Sequence, residues 1–186
     1  SVMKKSILFI IFSIILFSFD VPKGWIKAGS EPKKYEMSVE KGAGQDGKNA
    51  ATIKSIDKKI SGFGTLMQNC LPDKYLGKRV KMSGYIKSKD VLNWAGLWFR
   101  VDEKDSKKPL AFDNMKDRSI KGTTEWQKYE IVLDVPENAS NLAYGALLYE
   151  TGQIWFDNLK FDIVDESTPV TGQKPSEPQN LNFEEE

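Results

Sequence analysis

A tryptophan and an arginine two residues apart on an extended segment can hold a sugar, because the indole face stacks on a pyranose ring while the guanidinium donates to its hydroxyls. The segment Trp94-Ala-Gly-Leu-Trp98-Phe-Arg100-Val-Asp102 supplies this pair in Trp98 and Arg100, with Trp94 a few residues before it. Asp113 and Asn114 end the run Leu110-Ala-Phe112, where polar side chains project into a groove or cap a turn. Gln68, followed by Asn69, brings amide donors and acceptors suited to hydroxyls, and Tyr85 and Tyr149 complete a polar-aromatic face. Each residue has an ordinary structural use as well. Trp98 packs equally well under a loop, and Asn114 is a natural turn residue.

Other chemistries are excluded by residue type. The chain contains no histidine, which removes Ser-His-Asp and Cys-His nucleophile systems, His-rich zinc sites and the usual pH switch. Cys70 is the single cysteine. It can form no internal disulfide and joins no metal cluster, and it reads as a small apolar residue. A glycosidase needs two carboxylates about 5 to 10 Å apart with one pKa raised. Acids such as Asp102, Asp113 and Asp157 make such a pair numerically available, but no pattern marks out an acid and a base, nor a Ser-Lys nucleophile. The expectation is a non-catalytic protein with no required cofactor. With 27 Lys plus Arg against 26 Asp plus Glu, no uniform basic field draws it to nucleic acid, and no helix-turn-helix pattern appears.

The elements that must position these residues read as short strands. Of 186 residues, 40% are hydrophobic and 11% aromatic, enough for one domain with its own core. In Arg79 to Lys87, Val80, Met82 and Ile86 alternate with Lys81, Ser83, Tyr85 and Lys87, the mark of a half-buried strand. Leu97, Phe99 and Val101 likewise point inward while Trp98, Arg100 and Asp102 share the opposite face. Further strands are expected at Ala51–Ser55, Leu110–Asn114, Tyr129–Val135, Ala143–Tyr149 and Ile154–Ile163, with Tyr129, Ile131, Leu133 and Val135 as one inward set. Of Trp155 and Phe156, one must face away from the core. The short connection Thr151-Gly-Gln153 predicts an antiparallel hairpin that makes the last two strands neighbours. The fold class is all-β, an antiparallel β-sandwich.

The flanks differ in composition. Met3-Lys-Lys-Ser6 followed by the apolar run 7–17 has the form of a secretory signal. The run falls short of the about 20 residues of a membrane span. Small-x-small cleavage signals are missing, so residues 1–19 are either a cleaved leader or an N-terminal anchor, the sole route to a membrane. The sandwich is assigned to 20–164, an extended linker to 165–179 and a tail strand to 180–186, where Leu181 and Phe183 alternate. Asn138-Ala-Ser140 is a glycosylation sequon only in a eukaryotic secretory pathway. The protein is expected to be exported.

The succession Pro22-Lys-Gly-Trp25, GAGQDGKNAATIKS (42–55), YLGKRVKMSGYIKS (75–88), WQKYEIVLDVPENA (126–139) and GQIWFDNLKF (152–161) resembles the galactose-binding-like jelly roll of carbohydrate-binding modules. WAGLWFRVD (94–102), AFDNM (111–115) and IKGTTEW (120–126) resemble more closely an accessory domain found beside tail-specific proteases, erythromycin-esterase-like proteins and some arabinose-type transcriptional regulators. No established activity comes with that domain. The resemblance covers roughly residues 22–164 and implies buried tryptophans at Trp25 and Trp126. It also implies that an Asn-Leu-x-Phe-Glu strand should precede Pro-x-Gly-Trp, whereas here NLNFE occupies 180–184. Either the tail folds back into that position or it begins a further domain, and fold-back is favoured because termini of compact domains lie close together. Jelly rolls of this kind hold a structural calcium, for which Asp157 and Glu184 match the carboxylate positions. The leading expectation is a module binding carbohydrate or a similar polyol. The alternative is a module that packs on a protein partner in the cell envelope, with the same aromatics as anchors.

Overall fold

The computed structural model describes residues 21–173, 178, 181 and 182. The apolar run at 7–17, and Phe183 and Glu184 of the tail, lie outside the described residues. Nine strands follow one another: β1 (Ile26–Gly29), β2 (Tyr35–Glu40), β3 (Ala50–Ser55), β4 (Phe63–Cys70), β5 (Lys78–Glu103), β6 (Ala111–Asp113), β7 (Ile120–Val135), β8 (Ala139–Tyr149) and β9 (Gln153–Val164). Short 3-10 turns occupy Pro32–Lys34, Asp73–Tyr75 and Lys116–Arg118. Every ladder is antiparallel.

The organising element is β5, 26 residues long. Its first half, from Arg79 to Lys89, pairs with β9, and β9 pairs in turn with β3 and β3 with β2. Its second half, from Trp94 to Glu103, pairs with β8, which leads through β4 to β1. β7 borders the first half and β6 the second. One strand therefore serves both layers of the sandwich. It passes between them where its ladder with β7 slips three times, between Ile86 and Ala95, and where Asp90 takes a φ of 50°. Bulges of this kind bend a strand and let it change sheets.

The alternation seen in the sequence fills the space between the layers. Val80, Met82 and Ile86 from the first half of β5 meet Leu97, Phe99 and Val101 from the second, joined by Ile131, Leu133, Val135 and Leu148, all buried in one cluster. Each such side chain contributes about 1.5 to 3 kcal/mol relative to exposure. Phe156 is in this core and Trp155 faces out, donating its indole N–H to Glu40 Oε2 at 2.7 Å. Trp25 packs against the same core, edge-on to Tyr144 at 6.2 Å and tilted on Phe156 at 5.8 Å.

Two expectations are corrected. The last two strands do not pair: β8 lies between β4 and β5, and β9 between β3 and β5. Their connection is an arch between layers rather than a hairpin. Glu150 and Gly152 adopt φ values of 62° and 137°, and Gly152 is stapled to β3 through Ser55 N to Gly152 O and Gly152 N to Ser55 Oγ, both 3.0 Å. A side chain at 152 would come within 2.8 Å of Val91 Cα, so the arch needs glycine. Trp126, expected in the core, is only half-buried. It sits with Glu125 opposite the single residue Lys87, between the pairs Ile86↔Gln127 and Ser88↔Thr124, and that bulge turns its side chain off the inward register.

The first part of the stretch read as a linker lies against the body. Thr171 N donates to Val132 O and Val132 N to Thr171 Oγ1, both at 2.9 Å, which covers the outer edge of β7. Arg79 grips Asp134 with two bonds and donates to Glu166 O and Thr168 O.

Candidate ligand-binding site

The outer face of the layer built from β1, β4, β8, the second half of β5 and β6 carries a second apolar cluster, separate from the core. Trp98, Ala143 and Leu147 are its buried centre, with Phe63, Met67, Trp94 and Tyr149 around them. Register explains the grouping. Trp94 lies beside Tyr149 and Tyr149 beside Phe63; in the next rows Gly96 meets Leu147 and Leu147 meets Thr65, while Trp98 meets Gly145 and Gly145 meets Met67. A first row made wholly of aromatics and an indole at one end of the third, with glycines in the second and third rows, leave a cleft of about 290 Å³. Arg100, Phe112 and Asn114 line one part of it and Ala28 and Gly29 of the edge strand another.

Trp98 is held rigidly. Its Nε1–H donates to Thr65 Oγ1 at 2.8 Å, and that hydroxyl donates onward to Ala146 O at 2.6 Å. Arg100 Cζ stands 5.9 Å from the Trp98 ring centroid, and its Nε is engaged by Asp102 Oδ1 at 2.8 Å. The second oxygen of Asp102 accepts from Asn141. Trp94 stacks on Tyr149 with centroids 5.7 Å apart and planes 24° from parallel, and Lys116 Nζ lies 5.9 Å from its ring centroid. The indole N–H of Trp94 is buried and has no hydrogen-bond partner among the described residues. A donor left so costs about 1 to 3 kcal/mol unless a ligand satisfies it.

Of the eight residues singled out in the sequence, the structure brings five to this cleft: Trp94, Trp98, Arg100, Asn114 and Tyr149. Asn114 is also the turn residue of its ordinary reading, since its Oδ1 accepts from Lys116 N at 3.2 Å. Three lie elsewhere. Tyr85 points outward from the first half of β5, between the inward Gly84 and Ile86, and so emerges on the opposite outer face. The expected single face of Tyr85 with Trp98 fails because the two halves of one strand belong to opposite layers. Gln68 is at the rim of the core, its Oε1 accepting from Tyr144 O–H at 2.6 Å. Asp113 is buried beside the cleft and fully engaged, with Arg118 Nη2 at 2.6 Å and Met115 N at 2.9 Å. Burial alone would push its carboxyl up, but the bonds from Arg118, Thr171 and Met115 outweigh this and hold it below the usual range.

Phe63, Thr65, Met67, Leu147 and Phe112 were not singled out, although the alternation Phe63-x-Thr65-x-Met67 puts three of them on one strand face. Cys70 packs half-buried against the core, and burial pushes its thiol up. Asp157 is a loop anchor: Oδ2 accepts from Gln45 N at 3.1 Å and Oδ1 from Asn158 N at 2.8 Å. Among the described residues no group of three carboxylate, cysteine or histidine side chains comes together, and Glu184, the second carboxylate expected for a calcium, lies outside them.

No protein-family model matches the chain. Over 170 residues it is 45% identical to the uncharacterized HTH-type transcriptional regulator YbfP of Bacillus subtilis (strain 168), a match covering 88% of this chain and 57% of that protein. The chain therefore spans little more than half the length of this relative. Among solved structures, it is similar to the CBM22-1 xylan-binding domain of Paenibacillus barcinonensis Xyn10C, with a TM-score of 0.55 and 17% identity over 80% of this chain and 92% of that one. The CBM22-1-GH10 modules of Clostridium thermocellum xylanase Xyn10B, complexed with xylohexaose, give 0.56 and 14% over 79% of this chain and 28% of that one. A cyclase from Fischerella sp. TAU gives 0.53 and 15% over 77% and 86%. The chain thus has the antiparallel β-sandwich fold that these carbohydrate-binding modules share.

Proposed function

We propose that this chain is an exported, non-catalytic module that binds carbohydrate or a similar polyol in the cleft on the outer face of its β8-centred layer. The observation that carries the reading is the cleft itself. Aromatic rings fixed by packing face a space of about 290 Å³, and hydrogen-bonding groups stand at its margin. This is the composition of a site that recognises a ring with an apolar face and polar edges. The sandwich neighbours support it, since several are carbohydrate-binding modules. The described acids nearest the cleft are engaged in the fold: Asp102 is bonded to Arg100 and Asn141, and Asp113 to Arg118.

Binding should be measured by affinity electrophoresis and calorimetry against a panel of soluble glycans, with Phe112→Ala at the exposed cleft wall and Tyr85→Ala on the opposite face. Saturable binding that Phe112→Ala weakens at least about fivefold, and that Tyr85→Ala leaves intact, is the expected result. A folded protein that binds no glycan, or one equally affected by both substitutions, overturns it.

The regulator relative favours a second reading, in which the same cleft receives a small effector inside a larger protein. That reading predicts binding of a mono- or disaccharide as tight as that of a polymer.

A further inference from the structure

Resting on the reading of the cleft as a saccharide site, a further inference concerns the charge of the ligand. Each neutral sugar hydroxyl carries one donor hydrogen as well as two acceptor lone pairs, so a site for them offers both kinds of partner. Here the margin is made of donors. Arg100 uses Nε on Asp102, while its Nη1 and Nη2 make no hydrogen bond among the described residues. Lys116 Nζ lies over the Trp94 ring and forms no ion pair among them. Asn114 has its Oδ1 occupied by Lys116 N, which leaves the Nδ2 hydrogens to offer. The indole N–H of Trp94, itself a lining residue, is buried and has no partner among the described residues.

The acceptors nearby are already engaged. Thr65 Oγ1 accepts from Trp98, and both oxygens of Asp102 are taken by Arg100 and Asn141. The two carboxylates of the adjoining turn, Asp113 and Asp117, are both bonded to Arg118. Tyr149 alone adds a hydroxyl that serves either way. A carboxylate accepts only, and the fork of an arginine matches its two oxygens. We infer that the cleft selects saccharides that carry a carboxylate, with a uronic acid residue placed so that Arg100 and Lys116 meet its acid group while its ring lies among Trp94, Trp98 and Phe112.

The test is calorimetric titration of the full chain with an oligogalacturonate and with a neutral oligogalactoside of equal length, in low and high salt. The acidic oligomer should bind at least about tenfold more tightly in low salt, as charge-assisted bonds require. That preference should shrink severalfold near 0.5 M salt, where exposed charges are screened. Arg100→Gln and Lys116→Gln, each checked for unchanged thermal unfolding, should each cut the acidic-to-neutral affinity ratio about threefold or more. Equal or tighter binding of the neutral oligomer, or a preference that survives both substitutions, overturns the inference and leaves the saccharide reading standing. Binding of neither oligomer, nor of any other glycan, sinks the saccharide reading and this inference together.

Discussion

Replacing Trp94 and Trp98 in turn by phenylalanine separates an indole kept for a ligand from one kept for the fold. In Trp98→Phe the ring stays but the N–H bonded to Thr65 Oγ1 is lost, inside a side chain only 7% exposed. Losing that bond costs about 1 to 1.5 kcal/mol, and the space left by the missing ring atoms adds about 1 to 2 kcal/mol. At about 2 to 4 °C per kcal/mol for a chain of this size, Tm should fall by roughly 4 to 14 °C. Trp94→Phe also shrinks a ring stacked on Tyr149, at about 1 kcal/mol of lost apolar contact. It removes, however, a buried donor that has no partner, which returns about 1 to 3 kcal/mol. The unliganded protein should therefore unfold between the parent's temperature and about 8 °C above it. On the proposed reading, in which a bound glycan takes that N–H, affinity for the best glycan should drop about 5- to 30-fold. Differential scanning calorimetry and titration calorimetry on the two variants measure both quantities. A Trp94→Phe protein as destabilised as Trp98→Phe, or one that binds as the parent does, refutes the argument.

Two further outcomes follow from the same structure. Asp113 titrates below its ordinary 3.8 in the folded chain, so it contributes stability that is fully present above that value and lost as the pH falls through the depressed folded one. Asp113→Asn should cost about 2 to 4 kcal/mol at pH 7, and urea titrations should show the gap to the parent narrowing below about pH 4; a gap independent of pH would sink this account. Gly145→Val places a Cβ 2.1 Å from Leu66 O, between two strands already hydrogen-bonded. It should destabilise by more than about 3 kcal/mol, visible as loss of cooperative unfolding, and a Tm within a few degrees of the parent would contradict it.

The legible part of the fold was the part written in period two. Val80, Met82 and Ile86, then Leu97, Phe99 and Val101, declare their inward faces residue by residue, and all six are fully buried. What period two cannot declare is which layer a strand joins. Nothing in Thr151-Gly152-Gln153 distinguishes a hairpin from an arch, because the difference is made by Ser55 and Val91, distant in sequence, which receive the turn. The same blindness misplaced Tyr85. Tyr85 and Trp98 each face outward on their own half of β5, but a strand that changes layers sends its outward residues to opposite sides of the molecule. Trp94, Trp98, Arg100, Asn114 and Tyr149, all in the cleft, were conspicuous in the sequence because they are aromatic or polar. Thr65 and Leu147 were not, because their role comes from register alone.

The turn after β6 shows how a surface site can be as rigid as a core. Met115 is fully buried, adopts a left-handed φ of 59°, and accepts a bond from Leu97 N at its sulfur. A non-glycine residue held so costs of order 1 to 3 kcal/mol, which persists only where the surroundings over-determine it. Here they do: Asp113 Oδ1 receives Met115 N, Arg118 closes on the same carboxylate, and Gly96 lets the Met115 side chain approach where a Cβ would stand 3.0 Å from it. The residues flanking this anchor are Asn114, which lines the cleft, and Lys116, whose Nζ lies 5.9 Å from the Trp94 ring centroid. The contacts that hold Met115 thus fix the donors beside it, so that on the proposed reading a ligand would not have to supply the ordering entropy of that turn.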